Sequence, residues 1–374
     1  MRCRELRFER SGRLAWHERG PLVVEDDGDA IVRPFVAGRC DGDTLPIHRP
    51  VSRALQAGIA LRVIDPVVAH VCGRVPYQGP FAIGHECVAE VVAVGPAAGR
   101  VTVGARVIVP WAVSCGICPP CLIGLTSKCA TTTDSSRPVA AYGFGSASGP
   151  WGGMIADEIR VPYADHMLVT VPAGIPALRV AAAGDNIADA WRSVVPPLAL
   201  RPGGSVLILG GGAKSIGLYA AGFAVAHGAR LVDYVDDDPV RRGIAESFGA
   251  RTPTTGSAGY DVVVEATSRA SGLRQALRAL APGGICTAVG YYFASGTRLP
   301  LMRMYTTDAT LHVGVSHARA VLPELLDFIS RTQFPAERVT TVTADWDDAP
   351  VAYATKTTKV VVHRDSLATE PNPA

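Results

Sequence analysis

The chain has 374 residues, 48% of them hydrophobic and 19% charged, with a formal net charge of +2. Such a chain can bury a large core and is expected to divide into two domains, and its charge excludes a nucleic-acid electrostatic surface or a disordered charged tail. Residues 1–7 lack the apolar stretch of a secretory signal and no apolar run is long enough to span a bilayer, so a cytoplasmic protein without a membrane partner is expected.

Residues 6–34 read as short strands and turns, with turn signals at Gly12-Arg13 and Gly28-Asp29, the opening of an antiparallel or mixed domain. Residues 38–43 form a loop by composition. Residues 46–79 are a long bridge, with a helix expected at 52–57 and an apolar run at 59–71, a segment suited to shaping a pocket or an oligomer contact. Val-rich runs at 87–95 and 103–110, separated by glycine turns, suit a small barrel-like domain, and residues 161–172 add another extended piece.

Four cysteines then cluster as C-x2-C-x2-C-x7-C: Cys115, Cys118, Cys121 and Cys129, with Gly116 and Gly124 letting the loop fold round a centre. Four thiolates this close complete a tetrahedral zinc site with no open position, a structural metal; an iron–sulfur cluster is the competing ligand reading, and a disulfide knot a poorer one. A second set is more dispersed. Cys40 and His85 lie on separate loops, each followed by an acid, Asp43 and Glu86, and Asp185 near the domain boundary offers a third ligand. A zinc with three protein ligands keeps a position for an alcohol oxygen. Each residue also has a plainer reading: Cys40 as a buried thiol, His85 as a satisfied loop histidine, Asp185 as a helix cap.

From about residue 173 the texture changes to alternating helices and strands. Val206, Leu207, Ile208 and Leu209 form the continuous apolar run of a strand buried on both faces, ended by Gly210, Gly211 and Gly212. Read from Gly212, the sequence Gly212-Ala213-Lys214-Ser215-Ile216-Gly217 is a dinucleotide fingerprint with Lys214 in place of its second glycine. That ammonium either sits beside the phosphates or points to solvent. A second apolar run, 230–235, ends at Asp236, nineteen residues after Gly217, where an acid suits the ribose hydroxyls of NAD and repels the extra phosphate of NADP. Arg241 and Val289 are further candidate cofactor contacts. Strands are expected at 261–266 and 284–290, a helix between them at 273–280, an amphipathic helix at 320–332, and a strand at 359–362 that returns to the first domain. The tail at 368–374 is expected to fray.

These separated motifs in this order resemble the zinc-dependent medium-chain alcohol dehydrogenase family, including its threonine, sorbitol and formaldehyde dehydrogenase relatives. The resemblance covers nearly the whole chain: residues 38–43, Gly84-His85-Glu86, the four-cysteine lobe, Gly152-Gly153, the Asp185 region and the turn at 213–217. It implies an α/β protein with a GroES-like barrel-type catalytic domain at 1–175, a Rossmann doubly wound NAD-binding domain at 176–311, and a return to the catalytic domain at 312–374. It implies that Cys40, His85 and Asp185 bind catalytic zinc, that Glu86 tunes the metal, that Asp43 is a partner of the histidine, and that Lys359 reaches the cofactor pyrophosphate. It further implies a small-molecule alcohol or carbonyl substrate and a homodimer or homotetramer. The chain departs from the family where a Ser or Thr normally follows two residues after the zinc cysteine, since Gly42 stands there; Thr44, His48 or a water chain then carries the proton. The expected reaction is reversible hydride transfer between an alcohol and NAD. An NAD(P)-dependent reductase of an activated C=C or C=N bond, or an inactive nucleotide-binding homologue, are the alternatives.

Overall fold

The computed structural model describes residues 3–367, so the tail expected to fray lies outside the described residues. The chain divides into two compact units, one of Met1–Asp185, His317–Gln333 and Thr340–Ala374, the other of Asn186–Ser316 and Phe334–Val339. The division thus falls after residue 185, later than the expected 175. The Ala181–Ala183 stretch is buried and Gly184 packs so tightly on the Val109 carbonyl that a Cβ would lie 2.5 Å from it, which ties this segment to the first unit.

In the first unit, β1 (Cys3–Arg10) and β2 (Arg13–Arg19) form an antiparallel hairpin, followed by β3 (Ala30–Gly38). The long bridge folds into three short helices, α1 (Thr44–His48), α2 (Ser52–Ala60) and α3 (Val67–Cys72), before β4 (Phe81–Ala82). Then come β5 (Glu86–Val94), β6 (Arg106–Val109), α4 (Pro119–Leu122), β7 (Ile159–Val161), α5 (Ala164–Met167) and β8 (Val169–Thr170). The expected extended piece at 161–172 is therefore interrupted by a helical turn, entered through Tyr163 at φ 51°. Alternation along β3 and β5 buries Val32, Cys87, Ala89 and Val91 with Val107 and Tyr142 in one core.

The second unit begins with α6 (Asn186–Ala199) and runs β9 (Ser205–Leu209), α7 (Lys214–Ala226), β10 (Leu231–Val235), α8 (Pro239–Ser247), β11 (Tyr260–Glu265), α9 (Ala270–Ala279), β12 (Leu280–Ala288), α10 (Leu301–Thr306) and β13 (Thr310–Val313). Its strands form one parallel sheet in the order β10-β9-β11-β12-β13. Every residue of β9 is buried, as its unbroken apolar run requires for a strand covered on both faces. On α9, Leu273, Ala276 and Leu277 recur at helical spacing and are the buried face. Asp238 caps α8, accepting from the Val240 and Arg241 amides at 2.9 and 3.1 Å, with Pro239 opening the helix.

The chain closes with α11 (Ala318–Thr332), β14 (Val342–Asp345), α12 (Ala349–Ala354) and β15 (Val360–His363). The last strand joins the sheet ordered β14-β15-β3-β5-β6-β8, to which β7 adds by pairing with β3. Among the described residues, no helix is long and apolar enough to cross a membrane.

Candidate active site

Strand register builds the first cluster. Gly38, the last residue of β3, is paired with Glu86 at the start of β5 and with Val361 in β15. One end of three neighbouring antiparallel strands therefore delivers Cys40, His85, Glu86 and Lys359 together. Gly38 has to be glycine, because a Cβ there would lie 2.4 Å from a Glu86 oxygen. Asp185 arrives through β6: Val109 is paired with Cys87, Gly184 packs on the Val109 carbonyl, and the Trp111 amide donates to the Gly184 carbonyl at 3.1 Å.

The Cys40 thiol, a His85 ring nitrogen and an Asp185 oxygen lie within 4.8 Å of one another, all three residues buried. His85 Nε2 is 3.4 Å from Asp185 Oδ2, and Nδ1 is 3.7 Å from Asp43 Oδ1. That second distance is too long for a hydrogen bond, and His85 Nδ1 and Asp43 Oδ2 are buried without hydrogen-bond partners. Phe144 stacks on the imidazole with ring centroids 4.6 Å apart, and Trp111 meets Phe144 edge-on at 6.0 Å.

The electrostatics fit a cation. Burial, then the charges of Asp185, Glu86 and Asp43, push the Cys40 thiol well above its usual range. Burial pulls His85 down, but Asp43 and Asp185 outweigh it and hold the ring up at about 9. Burial raises Asp43. Burial opposes ionisation of Asp185 as well, but its bond to His85 wins and keeps it below the ordinary carboxylate value. A soft thiol, an imidazole and a carboxylate crowded with negative charge form the donor set of a zinc ion, and Asp43 beyond the imidazole is placed to orient it.

Glu86 and Lys359 are both fully buried, and the Lys359 ammonium donates to Glu86 Oε2 at 2.5 Å and to the Arg39 carbonyl at 2.9 Å. Lys359, which the resemblance directs to a cofactor pyrophosphate, has its charge paired with Glu86, because a buried carboxylate at this depth requires a counter-ion. Arg39 went unnoticed in the sequence. It is 1% exposed, and its guanidinium donates to the carbonyls of Tyr353, Thr355 and Thr357, tying the Cys40 loop to the segment before β15. No spacing marks it, since its acceptors are all backbone. Thr44 donates its hydroxyl to the Asp41 carbonyl at 2.6 Å, a turn contact that uses the hydrogen a proton relay would need. Thr44 and His48 begin and end α1, and neither belongs to the ligand cluster.

The second cluster is the four-cysteine lobe. Cys115, Cys118, Cys121 and Cys129 present their sulfurs within 4.8 Å of one another, and all are free thiols. Gly116, at φ 79°, turns the loop where a Cβ would strike the His166 ring at 2.5 Å. Burial would raise Cys129, but the Thr132 hydroxyl and backbone amides from Cys115, Thr131 and Thr132 bring it down to about 6. Amides aimed at sulfur favour thiolates, the form that binds metal.

In the second unit, the carboxyl ends of the parallel strands carry Gly210, Asp236, Ala266 and Val289, the edge where dinucleotides bind in such sheets. Gly210 closes tightly over its neighbours, a Cβ there falling 2.3 Å from Asp236 Oδ2 and 2.7 Å from the Tyr234 hydroxyl. Gly212, Ala213 and Lys214 lead into α7 and Gly217 lies in its first turns, with the Ala213 amide donating to the Ala266 carbonyl at 2.9 Å. Ser215 is turned inward, its hydroxyl donating to Asn186 Oδ1 at 2.9 Å, and Ile216 is buried. Asp236 is already well occupied. Arg241 grips both of its oxygens at 2.8 and 2.6 Å, the Tyr234 hydroxyl donates at 2.9 Å and the Asp238 amide at 2.9 Å. Burial works against its charge, but Arg241 holds the carboxylate below its ordinary value. Tyr234, buried under the glycine turn, was not singled out in the sequence because it reads as one more apolar strand residue.

Residues 26–173 match the family described as alcohol dehydrogenase GroES-like domain, and residues 215–331 match the zinc-binding dehydrogenase description. The chain is 30% identical over 298 residues to a Mycobacterium tuberculosis protein named "Probable zinc-binding alcohol dehydrogenase", covering 76% of this chain and 73% of that one. It is 32% identical over 224 residues to a glutathione-independent formaldehyde dehydrogenase of Pseudomonas aeruginosa, covering 57% of this chain and 55% of that one. Among solved structures, an alcohol dehydrogenase from Thermus sp. ATN1 aligns with a TM-score of 0.80 at 26% identity, over 96% of this chain and 99% of that one.

Proposed function

The chain belongs to the zinc-binding alcohol dehydrogenases and is an oxidoreductase, and from that premise we propose that it transfers a hydride between an alcohol and NAD, reversibly giving an aldehyde or ketone. The observation that carries this reading is the meeting of Cys40, His85 and Asp185 ligand atoms within 4.8 Å, three donors and not four. In balance, the alcohol and NAD+ give a carbonyl compound, NADH and one proton. Zinc held by Cys40, His85 and Asp185 would supply Lewis acidity toward the alcohol oxygen, and a nicotinamide bound by the second unit would be the hydride acceptor.

The chain's own part is positioning. Asp43 faces Nδ1 of His85 at 3.7 Å, so its charge favours the ring orientation that turns Nε2 toward Asp185. Phe144 covers one face of that ring. Lys359 offsets part of the Glu86 charge, which otherwise adds to those of Asp185 and Asp43 around the Cys40 thiol. The proton released from the alcohol leaves through His48 or a water chain, since Thr44 is bonded to its own turn. Asp236 supports NAD over NADP because its carboxylate repels a ribose phosphate. The Cys115, Cys118, Cys121 and Cys129 lobe holds a structural zinc. A cytoplasmic homodimer or homotetramer completes the proposal, with the mass in solution as its check.

Metal analysis of the wild type and Asp185→Ala tests the centre of this reading. The wild type is expected to carry about two zinc ions per chain and the variant about one, with hydride transfer to NAD from an alcohol panel lost in the variant. Two zincs and undiminished turnover in the variant refute Asp185 as a ligand.

A further inference from the structure

A cavity of about 940 Å³ lies in the first unit, built from the β1-β2 hairpin, the end of the long bridge and the loop at 144–153. It shares a wall with the metal-ligand cluster: Phe144 lines it and is the same ring that stacks on His85 at 4.6 Å. Trp151 and Phe81 add aromatic surface.

Its charges do not balance. Four arginines line it, Arg7, Arg19, Arg74 and Arg160. Arg7 pairs with Glu5 at 2.6 Å and Arg19 lies 3.8 Å from the same acid. Arg160 pairs with Glu25 and, at 3.3 Å, with Asp29. Arg74 has no acidic partner among the described residues, and it is exposed at the cavity wall. Arg19 Nε and Trp151 Nε1 are buried behind this wall, the first beside Glu5 at 3.8 Å and the second against Gly149, so Arg74 is the cationic group that the cavity itself presents. A guanidinium without an acidic partner is complementary to acceptor oxygens bearing negative charge.

We propose that this cavity receives the anionic end of the substrate, so that the alcohol oxidised at the Cys40, His85 and Asp185 cluster carries a carboxylate or phosphate that Arg74 recognises. This rests on the dehydrogenase reading above. The hydroxyl end meets the ligand cluster, the apolar body lies along Phe144 and Trp151, and the anion meets the unpaired guanidinium. The bridge at 46–79 thereby supplies specificity through its final turn, well beyond His48.

Matched alcohols test this: benzyl alcohol, para-(hydroxymethyl)benzoate and para-(hydroxymethyl)phenyl phosphate, with wild type, Arg74→Ala and Arg74→Lys. A charged contact of this kind is expected to change kcat/KM by about 10- to 100-fold. The wild type should favour an anionic alcohol by about that factor, and which of the two anions is preferred identifies the group. Arg74→Ala should lose the preference through KM, Arg74→Lys should keep part of it, and benzyl alcohol should be oxidised alike by all three. Calorimetric binding of para-toluate, which has the ring and carboxylate but no hydroxyl, should weaken in Arg74→Ala by a similar factor without any turnover. Equal use of charged and neutral alcohols by the wild type, or para-toluate binding indifferent to Arg74, overturns the anion site. Arg74-dependent para-toluate binding with no alcohol oxidised upholds the site and refutes the dehydrogenase reading instead.

Discussion

Replacing Lys359 with methionine separates two accounts of this residue, a cofactor contact and a counter-ion for Glu86. The side chains of Lys359 and Glu86 are each 0% exposed and meet at 2.5 Å, and the ammonium also serves the Arg39 carbonyl. Removing the lysine leaves a carboxylate and a carbonyl buried without that donor. Breaking a buried pair in this way costs about 3–5 kcal/mol. Glu86→Gln alone leaves the ammonium its carbonyl and an amide acceptor, so it belongs at the low end of that range. The double variant Lys359→Met/Glu86→Gln removes both charges and should recover much of the loss, with a coupling of about 2 kcal/mol or more. Urea unfolding of the four proteins at one metal concentration gives the cycle, and Lys359→Met should also melt about 10 °C lower. If Lys359→Met unfolds within about 1 kcal/mol of wild type while its dinucleotide affinity drops tenfold, the counter-ion account fails and the cofactor account replaces it.

Three further outcomes follow from named contacts. Gly38→Ala puts a Cβ where only 2.4 Å separates it from Glu86, so it should cost about 1–3 kcal/mol and lower zinc at the Cys40 cluster, read by thermal melting and metal analysis. Asp236→Ser releases Arg241 and removes the repelling carboxylate, and the ratio of kcat/KM for NADP to that for NAD should rise by about tenfold or more. Asp157 is bonded to Arg364 at 2.7 Å and to the Arg4 amide at 2.9 Å; burial opposes its charge, but these donors hold its pKa below the unfolded value of 3.8. Its contribution of about 1–2 kcal/mol is present above pH 3.8 and lost as pH falls through the folded value, so Asp157→Asn should be less stable than wild type at pH 6, and the gap should close toward pH 3.

Local patterns were enough for the second unit. The unbroken apolar run of β9, the glycines after it and the acid at the end of β10 are neighbours in sequence as well as in space, and a parallel strand covered on both faces leaves that signature directly. The four-cysteine lobe was equally legible, since its ligands lie within fifteen residues of one another. The long bridge was not. Its helices α1 to α3 are five to nine residues long, too short to establish a helical period. Asp236 was visible as a carboxylate, while three of the four donors that occupy it come from Tyr234 and Arg241 side chains whose direction no spacing reveals.

The Cys40 cluster shows why such a site escapes a reading by spacing. Its ligands are separated by 45 residues and then by 100, from Cys40 to His85 to Asp185. They meet because Gly38 is paired on both sides, with β5 and β15, and because β6 carries the pairing on to the segment before Asp185. Register in an antiparallel sheet is set by which residues face the core along the whole strand, so the site is specified by Val32, Ala89, Val91, Val107 and Val360 as much as by its own donors. A one-residue slip of β5 against β3 would leave all three ligands in the sequence and turn His85 to the opposite face. The metal site is therefore a property of the core, and substitutions that shift the sheet register should abolish zinc binding without touching a ligand.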